Sequence, residues 1–310
     1  MTTAICTLFE GDYHYGVGVL ANSLYGNGYR GDVWVGYRGN LPAWVTPLTQ
    51  QDGYQALKVN DQLSLNFISL STSLHFSFYK PTFMQELWDR FCPDVETLCY
   101  FDPDIVNRGP WDFYERWIAR GIALCEDAWA DFLPADHPIR LAWQEYLSSK
   151  GHAVKRQLFR YYNAGFVGLP RAHRSVLDLW EKLMVTVDND DAYMKRGIPH
   201  TYPYINAYDQ DVLNMTLMVS DYPLTTVGAE GMDFNKRGFL MSHAAGGNII
   251  KPWRKKLIAQ AFRGVPPSHT DKLFWQYTQT PIQVYPADYA KRQQQALSLA
   301  SAIGRFVHRV

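Results

Sequence analysis

Residues 98–106 constrain the fold of this chain more than any other segment, because an apolar run leads directly into two aspartates and then into β-branched residues. A buried strand cannot hold two unpaired carboxylates, since isolated charges are costly in a low-dielectric core. Asp102 and Asp104 are therefore expected at the end of a strand, facing a cleft and sharing a cation. Carboxylate oxygens suit Mg²⁺ or Mn²⁺, which often also coordinate substrate phosphates. A solvated turn, with an aspartate in front of Pro103, is the alternative interpretation.

Strands and helices alternate along the first third of the chain. Apolar patterns predict strands over 3–9, 32–37 and 97–101, and helices over 13–24 and 78–90. This alternation is typical of a parallel sheet flanked by helices, in which ligands bind beyond the carboxyl ends of the strands. The acid pair follows the strand at 97–101, so it is expected at that edge of the sheet.

Helical patterns dominate the rest of the chain. The predicted elements are a mostly helical stretch at 111–152, short strands at 164–169 and 239–242, and helices at about 174–185, 208–219, 253–262 and 287–307. No repeat or linker divides the sequence. We therefore expect one α/β, Rossmann-like domain over 1–265, with a helical insertion at about 111–152, and a helical extension over 266–310 packed on it.

Charge and cysteine usage narrow the class of protein. The 310 residues carry a formal net charge of zero, so no long-range field favours nucleic acid as a partner. The four cysteines have no CxxC spacing, which indicates a reducing compartment. With no targeting or membrane-spanning pattern recognised, a cytoplasmic protein is expected. The basic helix at 287–307 has a solvated face by default, and peripheral contact with the inner face of a membrane is the alternative.

A second polar segment begins at His243, after a predicted strand and before a predicted helix. The histidine could supply a nitrogen ligand to the cation held by the two aspartates. Gly246 and Gly247 would let backbone N–H groups approach a phosphate, and Lys251 would neutralise it. A structural histidine followed by an ordinary glycine-rich turn is the alternative.

Two further segments combine amides with acids or small residues. Asp209, Gln210 and Asp211 open a predicted helix, where acids commonly serve only as caps. The Gln210 amide, like that of Asn163, could instead hydrogen-bond a polyhydroxylated ligand. Small residues after Asn163 would let a ring approach the backbone, although close strand packing explains them equally.

Taken in this order, the segments resemble the retaining GT-A glycosyltransferases typified by glycogenin and the bacterial lipopolysaccharide galactosyl- and glucosyltransferases. The resemblance covers roughly residues 3 to 255. It implies a single GT-A domain and transfer of a hexose from a nucleoside diphosphate sugar, with a UDP-sugar expected, while the anomeric configuration is retained. Mn²⁺ or Mg²⁺ is the implied cofactor. The acceptor, whether saccharide, glycolipid or protein, is left open.

The same resemblance implies roles for individual residues. It makes Asp102, Asp104 and His243 the metal ligands, and it puts Asp209 and Gln210 at the anomeric carbon without deciding which of the two is the key residue. Tyr13 would stack on the nucleobase, and Lys80 and Lys251 would meet the donor. The full set of implied donor-binding residues is Leu8, Tyr13, Lys80, Asn163, Ala164, Gly246 and Lys251.

The chain also departs from this pattern. Four residues separate Gly246 from Lys251 where the family usually has two, and Pro103 stands between the acids where small residues are usual. Glu10 and Asp12 both stand near the position of the family's N-terminal acid.

Two other functions use a similar set of residues. One is a nucleotidyltransferase that makes nucleotide sugars, which favours a glycine-rich basic loop where this chain has Glu10 and Asp12. The other is a non-catalytic carbohydrate-binding protein, which would not need the acids, the histidine and the Asp-Gln-Asp segment together.

Overall fold

The computed structural model describes residues 2–128, 133–198, 202–235, 238–245 and 250–307. The strands are β1 (Thr3–Glu10), β2 (Gly31–Arg38), β3 (Thr49–Gln50), β4 (Gln55–Asn60), β5 (Leu63–Ser69), β6 (Thr97–Phe101), β7 (Ile105–Asn107), β8 (Ile122–Cys125), β9 (Phe166–Pro170), β10 (Gly197–Ile198), β11 (Tyr202–Pro203), β12 (Leu224–Val227) and β13 (Met241–His243). The helices are α1 (His14–Gly26), α2 (Phe76–Glu86), α3 (Trp111–Ile118), α4 (Pro138–Ser149), α5 (Ser175–Asp188), α6 (Asp191–Met194), α7 (Tyr208–Met218), α8 (Leu257–Phe262), α9 (His269–Gln276) and α10 (Ala287–Val307).

Nine of these strands form a mostly parallel sheet in the order β12-β8-β9-β6-β1-β2-β5-β4-β3. The chain divides into two compact units that are interleaved in sequence. Unit 1 comprises Met1–Cys6, Thr72–Phe101 and Tyr114–Gly231, and unit 2 comprises Thr7–Ser71, Asp102–Phe113 and Met232–Val310.

The sheet strands of unit 1 surround β6, all five residues of which are buried. The first half of β1 pairs with β6 in parallel, from Thr3 opposite Thr97 to Cys6 opposite Tyr100. Strand β9 runs antiparallel to both β6 and β8, and β12 pairs with β8 in parallel. Continuous apolar runs without alternation, as in β6, are typical of strands that are covered on both faces.

The sheet strands of unit 2 begin with β2, which pairs with β5 in parallel over seven residues. Strand β4 returns antiparallel beside β5, and β3 pairs with β4. A separate two-stranded antiparallel sheet joins β7 to β13. This small sheet positions the candidate site, because β7 begins directly after Asp104 and His243 is the last residue of β13.

The α/β fold with a central sheet, flanking helices and a C-terminal helix is therefore confirmed. The helical prediction for 111–152 holds for α3 and α4 but overlooks β8, because a four-residue apolar run looks the same in a buried strand and a buried helix. The hairpin of β4 and β5 and the strand β12 were also missed. No helix among the described residues combines the length and apolarity that crossing a bilayer requires.

Candidate functional site

Asp102 and Asp104 lie in a tight turn of unit 2 that leads into β7. The Ile105 N–H donates to the carbonyl oxygen of Asp102 at 3.1 Å, which closes a four-residue turn. Pro103 occupies the second position of this turn, where its fixed φ angle is favourable. The proline that departs from the family pattern therefore has a local structural reason, since it shapes the turn that carries both carboxylates.

Strand β13 brings a histidine to the same turn. His243 lies opposite Ile105 in the ladder with β7, and its Nε2 lies 3.2 Å from Oδ1 of Asp104 and 3.6 Å from Oδ2 of Asp102. One potential ligand atom from each of the three residues lies within 4.8 Å of the others. Two carboxylate oxygens and an imidazole nitrogen could hold a divalent cation, and the oxygens suit Mg²⁺ or Mn²⁺. The three residues that the sequence proposed as ligands are thus brought together.

A lysine shares the buried carboxylate of this group. The Lys251 Nζ donates to Oδ2 of Asp104 at 2.5 Å and to the carbonyl oxygen of Ala244 at 2.6 Å. Burial alone would raise the pKa of Asp104, but His243 and Lys251 outweigh it and hold that pKa well below its usual range. Burial would lower the pKa of Lys251, but Asp104 outweighs this and raises it. The acid is therefore ionised at neutral pH, as a metal ligand must be.

Helix α1 packs against the acid turn through a glycine. Gly16 is buried, and a Cβ atom at this position would overlap the carbonyl oxygen of Pro103. Any larger residue at Gly16 would therefore displace the turn or the helix. This close approach gives a physical reason for a glycine at position 16.

Tyr13 lies beside the lysine of this group. Its ring centroid is 5.3 Å from that of Trp253 in an edge-on arrangement, and it lies 5.8 Å from the Lys251 Nζ. Arg254 is also near this ring, and it pairs with Asp12, whose pKa its hydrogen bond lowers. The other ambiguous acid, Glu10, forms an ion pair with Arg38 at 2.5 Å. Each of the two acids left open by the sequence thus pairs with an arginine.

Two further implied donor-binding residues belong to unit 2. Leu8 is buried within β1, with 3% of its surface exposed. Gly246 lies outside the described residues.

A second polar cluster, the unit 1 network, starts from a buried lysine on α2. The Lys80 Nζ donates to Oδ2 of Asp209 at 2.8 Å and to the carbonyl oxygen of Ala164 at 3.1 Å. Its side chain is only 4% exposed, whereas that of Asp209 is 19% exposed. Lys80 is therefore held in place by its partners, and Asp209 is the more accessible member of the pair.

The amides of this network converge on an acid that the sequence analysis did not single out. Oδ2 of Asp127 accepts hydrogen bonds from Asn163 Nδ2 at 2.7 Å and from Gln210 Nε2 at 2.9 Å. Gln210 Oε1 in turn accepts from the Ala164 N–H at 3.2 Å. Asp127 comes shortly after β8, so the signal that identified Asp102, an acid near the end of an apolar run, could have found it had the strand been recognised.

Asp211 has a different role from its two neighbours in sequence. Its Oδ2 accepts from the backbone N–H groups of Asn206 and Ala207 at 2.7 and 2.9 Å, and its Oδ1 accepts from the Tyr161 hydroxyl at 2.6 Å. Burial raises the pKa of Asp211 to about 7, although these three hydrogen bonds lower it. Asp211 therefore anchors the chain that enters α7, whereas Asp209 and Gln210 bond to Lys80 and to Asp127.

Comparison with known proteins finds similar folds among solved structures. No family model matches the sequence, and no curated protein matches it. The fold is similar to that of the glycosyltransferase GlyE of Streptococcus pneumoniae TIGR4, with a TM-score of 0.53, 11% identity and a match that covers 95% of this chain and 63% of GlyE. It is also similar to the bifunctional glycosyltransferase WbbM, with a TM-score of 0.55, 17% identity and coverage of 90% and 50%.

These neighbours settle the architecture and no more than that. At such low identity the similarity establishes the fold, and one fold can host many activities. The chain also spans only about half to two thirds of the length of these two proteins. The protein therefore has a fold found in glycosyltransferases, and it carries an Asp-Asp-His group that could hold a metal ion.

Proposed function

We propose that this protein is a metal-dependent glycosyltransferase that moves a hexose from a nucleoside diphosphate sugar to an acceptor, with retention of the anomeric configuration. One observation carries the proposal: Asp102, Asp104 and His243 converge within 4.8 Å on a fold shared with glycosyltransferases. The resemblance of the sequence motifs to retaining enzymes supports the finer points, namely a UDP-sugar as the donor and retention.

The charges around the acid turn support binding of a diphosphate through a cation. Asp104 is ionised, and Lys251 supplies a positive charge at 2.5 Å from it. When bound, Mn²⁺ or Mg²⁺ would act as a Lewis acid and stabilise negative charge on the leaving diphosphate. Lys251, which donates to Oδ2 of Asp104, would supply positive charge to the phosphate oxygens of the donor. Tyr13, near Lys251, would stack on the nucleobase.

The unit 1 network supports roles at the sugar. Asn163 and Gln210 are oriented by their bonds to Asp127, and Lys80 orients Asp209. In the proposed reaction the bond between the anomeric carbon and the phosphate oxygen breaks, a bond from the acceptor oxygen to that carbon forms on the same face, and the leaving phosphate takes the acceptor proton. Asp209 or Gln210 would stabilise the oxocarbenium-like transition state, as carboxylates do in glycoside hydrolysis.

Three broader expectations accompany this proposal. They are a GT-A domain over 1–265 with its insertion at about 111–152, a helical extension over 266–310, and a cytoplasmic location with a solvated face on α10 or, as the alternative, peripheral contact of α10 with the inner face of a membrane. The basic residues Lys291, Arg292 and Arg305 of α10 support the last of these.

Incubation with a panel of nucleotide sugars and Mn²⁺ tests the proposal. Transfer, or slow hydrolysis of one donor that requires the metal, is the expected result. Formation of pyrophosphate and a nucleotide sugar from a sugar phosphate and nucleoside triphosphate would instead identify a nucleotidyltransferase. No reaction and no donor binding would leave a non-catalytic carbohydrate-binding protein.

A matched pair of variants links the activity to the metal group. Asp104→Asn should lower donor turnover by about 10²–10³-fold, the scale of losing one group that stabilises developing charge. Asp52→Asn changes an exposed aspartate of unit 2 in the same way and should leave turnover unchanged. Circular dichroism on both variants verifies that the fold is intact.

A further inference from the structure

A polar cavity in unit 2 is lined by residues outside the sequence motifs. Its volume is about 510 Å³, and its walls include Arg108, Asp233, Phe234, His269 and Thr270. None of these residues belongs to the motifs that resemble the glycosyltransferase family. The question is which ligand would fit a cavity of this size and chemistry.

The carboxylate of Asp233, in the cavity wall, is bonded by two neighbouring side chains. Oδ2 of Asp233 accepts from the Ser242 hydroxyl at 2.8 Å and contacts His269 Nδ1 at 2.7 Å. An ionised carboxylate can only accept, so the hydrogen of the His269 ring must be on Nδ1, and in the neutral ring Nε2 is then an acceptor. The His269 side chain is half exposed. The Asp233–His269 pair therefore presents an oriented acceptor to whatever enters the cavity.

The backbone around Asp233 is built to hold this arrangement. Asp233 has a φ angle of 64°, in the left-handed region that few residues other than glycine, asparagine and aspartate adopt. A Cβ at Gly238 would overlap Asp233, and the guanidinium of Arg108 donates to the Gly238 carbonyl oxygen. A left-handed aspartate packed against a glycine is a costly conformation, of the kind found where a side chain must be aimed.

The cavity borders the group of Asp102, Asp104 and His243 in the same unit. Ser242, which bonds Asp233, is adjacent in β13 to His243, which faces the acid pair. The ring of Phe234 lies 5.8 Å from the ring of His243. A ligand in the cavity would therefore lie beside a candidate metal ligand rather than at a remote surface.

Charge and shape point to a neutral, hydroxyl-rich ligand. Arg108 and Asp233 are 3.7 Å apart and offset each other, so the cavity has no net charge that would favour an anion. The imidazole, carboxylate, guanidinium and Thr270 hydroxyl can together accept from and donate to several hydroxyl groups. The Phe234 ring offers an apolar surface for the C–H face of a sugar ring. We propose that this cavity binds the saccharide acceptor, with the Asp233–His269 pair accepting a hydrogen bond from a sugar hydroxyl.

This inference rests on the proposed glycosyltransferase function, but its test does not depend on catalysis. Saturation-transfer difference NMR is recorded on the metal-free protein, without nucleotide sugar, with lactose, maltose and N-acetylglucosamine as probes. At least one saccharide should bind the wild-type protein. His269→Gln and Asp233→Asn should each weaken that binding about tenfold or more, because each removes a hydrogen bond to a charged or oriented partner. Asparagine also tolerates the left-handed backbone at position 233.

Two controls separate the cavity from the fold and from the donor site. His152→Gln, a histidine of unit 1, should leave saccharide binding unchanged. All three variants should bind UDP in the presence of Mn²⁺ as the wild-type protein does. Failure of all three probes to bind, or equal binding by the wild-type and both cavity variants, would overturn the inference even if donor hydrolysis supports the proposed function. Saccharide binding that depends on His269 in a protein without donor turnover would contradict the proposed function instead.

Discussion

The acid turn of unit 2 and the network of unit 1 both gather carboxylates, but they satisfy them with different partners. Asp104 faces an imidazole and an ammonium group, which a divalent cation could replace or displace. Asp127 and Asp211 instead face amide, backbone N–H and hydroxyl donors, which can only orient a carboxylate. Clustered acids therefore do not by themselves mark a metal site, because the chemistry of their partners determines whether a cation can bind.

The two regions also differ in how their charges are balanced. In unit 1, Lys80 and Asp209 form an ion pair that is largely shielded from solvent and belongs to the same network as the neutral amides. In unit 2, two carboxylates converge on one histidine and one lysine. A bound divalent cation would offset the negative charge of the two carboxylates in unit 2, whereas in unit 1 amide donors from Asn163 and Gln210 hold the carboxylate of Asp127.

The largest expected effect is the pH dependence of the free energy of unfolding that Asp211 causes. Its folded-state pKa of about 7 exceeds the unfolded value near 3.9, so the folded protein retains a proton that the unfolded chain releases between these values. The contribution to stability is therefore full below about pH 4 and is lost as the pH rises through about 7. Relative to Asp211→Asn, the wild-type free energy of unfolding should fall by up to about 4 kcal/mol across this window.

Urea unfolding at several pH values between 4 and 8 measures this difference. Asp52→Asn, an exposed control, should follow the wild-type curve. Parallel curves for the wild-type protein and Asp211→Asn would mean that the carboxyl group of Asp211 is ionised throughout this range. The contrast between Asp211, which anchors the chain, and Asp104, which could bind a metal, would then weaken.

The next largest effect tests whether Lys80 and Asp209 stabilise each other as an ion pair. Lys80→Met leaves Asp209 without its cation in a mostly buried setting and should cost about 3 kcal/mol of stability. Lys58→Met removes the exposed pair with Asp61 and should cost at most about 1 kcal/mol. Chemical denaturation gives both values. Adding Asp209→Asn to Lys80→Met should recover part of the loss, and additive losses would show that the two groups are not coupled.

A smaller effect concerns the support of the acid turn. Gly16→Ala should cost about 2 kcal/mol, because its methyl group overlaps the Pro103 carbonyl oxygen and must shift the turn or the helix. Gly26→Ala, also in α1, meets only a Tyr277 ring carbon at 3.1 Å and should cost less. Thermal unfolding and Mn²⁺ affinity are measured together. If Gly16→Ala binds the metal as tightly as the wild-type protein, the turn does not need this exact packing.

The smallest effect separates ligand binding from packing at Tyr13. Tyr13→Ala should weaken UDP binding about tenfold, the lower part of the range for stacking of a base on an aromatic ring. Tyr13→Phe keeps the ring and should bind UDP as the wild-type protein does. Calorimetric titration gives both affinities, and equal affinities for all three proteins would reduce Tyr13 to a packing partner of Trp253.

Much of this architecture could be predicted from particular patterns. The apolar run before Asp102 located β6 and the acid turn, and the glycine-rich segment after His243 directed attention to the end of β13. Asp127 escaped notice because its strand, β8, has only four residues and carries no alternation. Its partners Asn163 and Gln210 are 36 and 83 residues away. A pattern in the sequence cannot reveal which distant amides will bond a particular acid.

The sequence patterns do not predict the cavity beside Asp102, Asp104 and His243 for a related reason. Asp233 and His269 are 36 residues apart, and neither stands in a spacing that predicts chemistry. Their meeting depends on the left-handed backbone at Asp233 and on the start of α9, which the sequence patterns did not predict.

Binding of Mn²⁺ tests the central claim most directly, and water-proton relaxation in the presence of UDP measures it. We expect the wild-type protein to bind a single Mn²⁺ ion. Asp104→Asn and His243→Ala should lose about a hundredfold or more in affinity, at least the cost of disturbing a ligand's supporting contacts. Gln210→Ala, which alters only the unit 1 network, should bind the ion as the wild-type protein does. Unchanged Mn²⁺ affinity in Asp104→Asn and His243→Ala would contradict the account.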